Sequence, residues 1–352
     1  MADRAARPPD RWARPIHIAG VIAAAAVIAA LTVVQVVGDH AGGGDTRSIG
    51  VGTFPAALAV TPNGRTLYVA NQGDNTVTPV DVATGTPGTP IPVGHGPDAL
   101  AVTPDGRTLY VANHGDNTVT PVDVATGTPG TPIPVGQDPD ALAVTPDGST
   151  LFVANDGSGT VTPVDVAAGT AGPPFSAGSG PEALAVTPDG RTLYAADGFL
   201  ADEVTPIDVA TGVAGTPVPL APLDPVGLVI SPNGQTVYAG SKGDSSSVPG
   251  DFAVNSVTPI TVATGDASLS IPLAGGAQGL AVTPNGRTLY ATDPNIDNTG
   301  DTVTPIDLAS GRAGTPIIVG TDPVALAMAP DGRFLFVANS QSDTVTEITL
   351  RN

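Results

Sequence analysis

The sequence predicts an all-β chain: a seven-bladed β-propeller of four-stranded antiparallel blades, preceded by one N-terminal transmembrane helix. Three observations predict the propeller. A Pro-[Asp/Asn]-Gly turn recurs at Pro62, Pro104, Pro146, Pro188, Pro232, Pro284 and Pro330, with spacings of 42, 42, 42, 44, 52 and 46 residues. Self-similarity at that period marks a propeller or an array. Each repeat also holds four short runs rich in Val, Thr or aromatics between turn signals, too short for helices. Finally, the seventh repeat lacks its fourth run, and a matching run stands before the first repeat.

Taken in chain order, residues 1–15, "MADRAARPPDRWARP", form a basic tail with four arginines. Residues 16–37 then run 22 positions without a formal charge. As a helix they reach roughly 33 Å, enough to cross the hydrocarbon core of a bilayer. Arginines ahead of the span predict a cytoplasmic tail and an exported remainder. A cleaved signal peptide is the competing expectation. Against it, the apolar run exceeds the usual 7–15 residues and "GDHAGG" is a poor cleavage site. Localisation is thus the cell membrane, single-pass, with a secreted protein as the outcome of cleavage. Residues 38–46 read as a flexible tether, and 47–352 as the propeller.

Within a repeat the runs are named a to d. In the second copy they are "ALAVT" from Ala99, "TLYVA" from Thr108, "TVTPVDV" from Thr118 and "TPIPV" from Thr131. The first two copies, residues 59–100 and 101–142, share 38 of 42 positions, a sign of recent duplication. The chain stops after run c of the seventh copy, and "RSIGVG" from Arg47 matches a d run. The N-terminal strand is therefore expected to complete the last blade and hide two open edges.

"YVAN" at Tyr68 and Tyr110, "FVAN" at Phe152 and Phe336, and the flanking "TPDGRTL" and "TVTPVDVATG" resemble the YVTN-type β-propeller repeat family. Other copies depart, to "YAAD" at Tyr194, "YAGS" at Tyr238 and "YATD" at Tyr290. The resemblance spans about 300 residues and implies an exported or surface protein without a defined activity. It brings no catalytic residue to this chain.

Charge narrows the partners. From residue 45 onward 9 Lys and Arg face 30 Asp and Glu. Such a field repels nucleic acid and favours cations and basic partners. The absence of cysteine excludes disulfides, thiol catalysis and thiolate metal sites.

The repeats differ from one another mainly in loops. The b–c loop gains one residue in blade 4, ten in blade 5 and four in blade 6, and the d–a loop into blade 5 gains one. In an up-and-down blade these loops share one face, whereas the unchanged a–b and c–d turns lie on the other. Insertions confined to one face of a rigid scaffold point to a binding surface. That face carries Asp116, Asp138, Asp156, Asp202, Asp244, Asp251 and Asp322 as candidate ligand-binding residues. Its expected ligand is an unidentified protein or a basic or cationic group.

Three narrower candidates each have a bland alternative. The recurring Asp of "VDVATG" is expected to cap a turn. Asp293, Asn295, Asp297 and Asp301 offer oxygen ligands at calcium-like spacing, but Thr304 stands where a bidentate acid belongs. No other cofactor is expected. His114, His95 and Glu182 are the candidates for a catalytic group at the channel mouth, although Gln replaces either histidine in a sister copy. Two functions stay open: a non-catalytic binding scaffold, or a metal-assisted hydrolase, lactonase or lyase.

Overall fold

A computed structural model describes residues 45–198, 201–220, 224–242, 255–294 and 301–350. The basic tail and the apolar span at 16–37 lie outside these, as do Asp244 and Asp251. Among the described residues no helix is long and apolar enough to cross a membrane.

Seven separate antiparallel sheets form the blades, each with its strands in the order a, b, c, d. In blade 2 strand a is Pro97–Val102, b is Thr108–Asn113 and c is Thr118–Asp123. The a strands of neighbouring blades pack side by side around the ring, so they line the central channel. Strand b is buried on both faces, which is why it reads as an unbroken apolar run. Strand c is buried on both faces too: Val122 enters the seam with blade 1 and Val119 the seam with blade 3.

That core is seven clusters, one at each blade-to-blade seam. The seam of blades 2 and 3, for example, buries Tyr110, Val119, Ile133, Leu151, Val153 and Val164. The ring closes where Ile49, Val345 and Phe336 of blade 7 meet Leu67, Val69 and Val80 of blade 1.

Strand d departs from the expected single run. In blade 2 it is two fragments, Thr128–Pro129 and Ile133–Pro134, each paired to one end of strand c. Proline is the cause. Pro121 in mid strand c has no N–H to offer, and Pro129, Pro132 and Pro134 remove donors from d itself. Blade 7 shows the contrast. Its strand c, Thr344–Thr349, carries Glu347 where the other six blades carry Pro79, Pro121, Pro163, Pro206, Pro259 and Pro305. With that N–H restored, the N-terminal strand Thr46–Gly50 pairs continuously with strand c over five residues. Arg47, opposite Glu347, forms an ion pair with it, and its Nη1 donates to the Thr84 carbonyl of blade 1 at 2.8 Å. The expected closure of the ring by the N-terminal strand is borne out.

The acid of each "VDVATG" turn is structural, as expected. Asp123 Oδ1 accepts from the Thr126 N–H and hydroxyl at 2.8 and 2.7 Å, which holds its carboxyl below the usual range. The b–c and d–a loops do share one face: the His114 N–H donates to the Gly96 carbonyl at 3.0 Å, and the Asp156 N–H to that of Asp138 at 2.9 Å.

Candidate functional site

The last residue of the "YVAN" repeat builds the site's frame. Asn113 is fully buried; its Oδ1 accepts from the Gly94 N–H at 3.1 Å. Its Nδ2 donates to the Thr118 and Thr120 hydroxyls at 3.1 and 2.9 Å. One amide thus fastens strand b, strand c and the incoming d–a loop. Asn71, Asn155 and Asn339 repeat this clasp in blades 1, 3 and 7. Blades 4, 5 and 6 carry Asp197, Ser241 and Asp293 instead, and these are the blades with lengthened b–c loops.

The residue after the clasp reaches across the seam to the second residue of the next a strand. That position is bulged: the register shifts between Pro97 and Ala99, and again between Pro139 and Ala141. A bulge re-aims a side chain. It is occupied by Asp98, Asp140 and Glu182 in blades 2, 3 and 4, so three consecutive blades place an acid there. Gln72 Nε2 donates to Asp98 Oδ1 at 3.1 Å, and His114 Nδ1 lies 2.7 Å from Asp140 Oδ1. Asp138, held at φ 52° and anchored by its N–H to Asn117 Oδ1 at 2.9 Å, brings its carboxylate 3.6 Å from His114 Nε2.

The imidazole therefore sits among carboxylates. Single donor atoms of Asp98, His114 and Asp140 lie within 4.8 Å of one another, all three side chains half-buried. The bond to Asp140, with the charges of Asp140, Asp138 and Asp98, raises the His114 pKa to about 8 against the opposing effect of burial. Asp156, one blade further, is pushed up to about 6, first by burial and then by Asp140 and Asp138. A site that protonates His114 and penalises Asp156 is short of positive charge.

The other expected site residues fall elsewhere. His95, 76% exposed, donates its backbone N–H to Asp116 Oδ2 at 2.7 Å and turns Nδ1 to Asp116 Oδ1 at 2.8 Å. Thr53 bonds Asp74 in the same way in blade 1, so His95 and Asp116 fasten loops. Asp202 and Asp322, at φ 48° and 58°, use their carbonyls to accept the Leu220 and Ser340 N–H groups. Asp293 ends strand b of blade 6, 6% exposed, its pKa raised by burial and by Asp301. Asn295 and Asp297 lie outside the described residues.

Sequence comparison of the copies missed the pairing across the seam, although its signal was present. Gln72 and Asp98, His114 and Asp140, Asp156 and Glu182 are each 26 residues apart. Only the fold shows that this offset spans one seam.

A family model described as lactonase, 7-bladed β-propeller, matches residues 81–173, well under half of the chain. The matched stretch contains Asp98, His114, Asp138, Asp140 and Asp156. No curated protein matches the chain. Among solved structures, a Kuenenia stuttgartiensis hydrazine synthase chain is similar, with 26% identity and a TM-score of 0.77 over 84% of this chain and 96% of that one.

Proposed function

We propose that this chain is a membrane-tethered, extracytoplasmic propeller that binds its ligand at the acidic mouth of blades 2 to 4, and that the ligand there is a divalent metal ion. The single observation carrying this is the convergence of Asp98, His114 and Asp140 donor atoms within 4.8 Å. Two carboxylates and an imidazole suit Zn²⁺ or Mn²⁺, and Asp138 stands behind the ring to orient it. Metal must displace the proton that these carboxylates hold on His114, so binding is coupled to pH. Anchorage through residues 16–37 remains part of the proposal, resting on their length, apolarity and basic flank.

The comparison at residues 81–173 favours a second reading, hydrolysis of a lactone at the same mouth. His114 with a pKa near 8 is mostly protonated at neutral pH, which makes it a poor general base there unaided. A metal in the site supplies Lewis-acid polarisation of a carbonyl. Asp138 keeps the ring oriented, and Asp156 stands ready to accept a proton above pH 6. Assaying the purified protein against γ- and δ-lactones with Zn²⁺ or Mn²⁺ separates the two. Turnover lost in His114→Gln establishes the hydrolase. Metal binding without turnover leaves the binding module.

A further inference from the structure

Blade 4 departs from its sisters at a second place. Strands b and c there are Thr192–Asp197 and Glu203–Asp208. Asp197 pairs in register with Glu203, and Ala195 with Thr205. Asn113 pairs with Thr118 and Val111 with Thr120 in blade 2. Asp197 thus holds the clasp position, with Glu203 and Thr205 in place of the two threonines that accept from the amide.

Asparagine Nδ2 donates to both hydroxyls; an aspartate oxygen in its place can only accept, so the bond would need the Thr205 hydroxyl to donate to it, and that bond is not formed. The consequence is visible on both sides. Asp197 is fully buried and Thr205 is 3% exposed, and among the described residues Asp197 Oδ1 and Thr205 Oγ1 both lack a hydrogen-bond partner. Asp197 Oδ2 is engaged, accepting from the Ser179 N–H of the d–a loop. Glu203 stands directly opposite Asp197 in the strand register, on the same face of the sheet. Leaving one buried polar group unsatisfied costs about 1–3 kcal/mol, and two adjacent ones call for an occupant.

We propose that blade 4 replaces the amide clasp with a calcium ion held by Asp197, Glu203 and Thr205. All three are hard oxygen donors, and two carboxylates balance the ion's charge. Calcium tolerates the irregular geometry of two adjacent strands and fills its remaining positions with water or carbonyls, whereas magnesium demands a near-ideal octahedron. Nitrogen and sulfur ligands are lacking from the trio, which sets it apart from the His114 mouth. The ion ties strand b to strand c as Asn113 does in blade 2, at the start of the first lengthened b–c loop.

Thermal unfolding of the full-length protein tests this, first stripped with EDTA and then given Ca²⁺. Calcium at a hundredfold excess over its Kd raises the wild-type Tm by roughly 5 °C. Asp197→Asn, which restores the residue four sister blades use, raises the Tm in EDTA and loses the calcium increment. Glu203→Gln leaves Asp197 in place and weakens the calcium response about tenfold. Asp140→Asn, at the mouth, keeps the increment, so this site and the proposed metal site fail independently. A wild-type Tm indifferent to calcium, or an undiminished increment in Asp197→Asn, overturns the proposal. So does an increment that responds to pH alone, since that assigns a proton to the clasp.

Discussion

His114 and Asp156 are the residues whose ionisation the fold disturbs most plainly. Both pKa values are raised, so the folded chain holds protons that the unfolded chain has released. The imidazolium contribution is fully present below pH 6.5 and fades as pH rises through about 8. Burial of Asp156 begins to cost stability above pH 4, and the full cost is present once pH passes 6. Stability is therefore expected to fall between about pH 4 and pH 8. With 42% of the His114 side chain exposed, screening discounts its share to about 1 kcal/mol, or roughly 2–3 °C in Tm. Melting curves of Asp156→Asn should run above wild type at pH 8 and converge with it near pH 4. His114→Gln, the residue blade 1 carries at this position, should flatten the profile between pH 6.5 and 8. Residue types at this scale were legible in the sequence, but their pairing was not. His114 and Asp140 meet only because a bulge turns one residue of strand a toward the neighbouring blade.

At the scale of the element, the outer strands show how proline and its absence are read. Six c strands with a central proline accept a broken partner, whereas the seventh, with Glu347, accepts a continuous one. The missing last run and the extra first one announced this closure in the sequence. The break in d was equally written there, in Pro129, Pro132 and Pro134, but repeat matching reads similarity and overlooks a missing donor. Removing residues 47–52 should strongly lower the Tm, because strand c of blade 7 becomes a bare edge. Arg47→Ala leaves the Glu347 carboxylate buried without its cation and should cost about 2–3 kcal/mol, less than a wholly buried pair because Arg47 is 26% exposed. Chemical denaturation checks both, and an unchanged midpoint for the truncation would refute the closure. Asn113→Ala should cost a similar amount, since it removes the amide and takes a bond from each of the Gly94 N–H and the Thr118 and Thr120 hydroxyls. Retreat from asparagine in "YAAD", "YAGS" and "YATD" marks the blades in which the loop beyond the clasp has grown.

Across the whole molecule, near-identical repeats make a symmetric ring, and function is sought where symmetry fails. Period, strand count and closure were legible because each copy repeats the same signals. The inserted loops 243–254 and 295–300 were legible only as lengths, which is all a sequence without sister copies of those stretches provides. The acidity of the face was legible too. Its division of labour was not: Asp116 pairs with an exposed imidazole and fastens a loop, while Asp140 meets a half-buried one beside two further acids. For the anchor, the proposal expects the protein in the membrane fraction, with peptides from residues 1–15 retained on mass spectrometry. Release of the propeller with a new N-terminus near Gly42 would make it a secreted protein.

The central claim is that the mouth of blades 2 to 4 holds a divalent metal, and calorimetric titration of the purified protein with Zn²⁺ and Mn²⁺ tests it most directly. One equivalent should bind at pH 8, with affinity falling about tenfold per unit as pH drops below the His114 pKa. Asp140→Asn should weaken binding at least tenfold, and His95→Gln, whose ring belongs to the Asp116 loop contact, should leave it unchanged. No binding at pH 8, or binding indifferent to both Asp140→Asn and pH, would contradict the account.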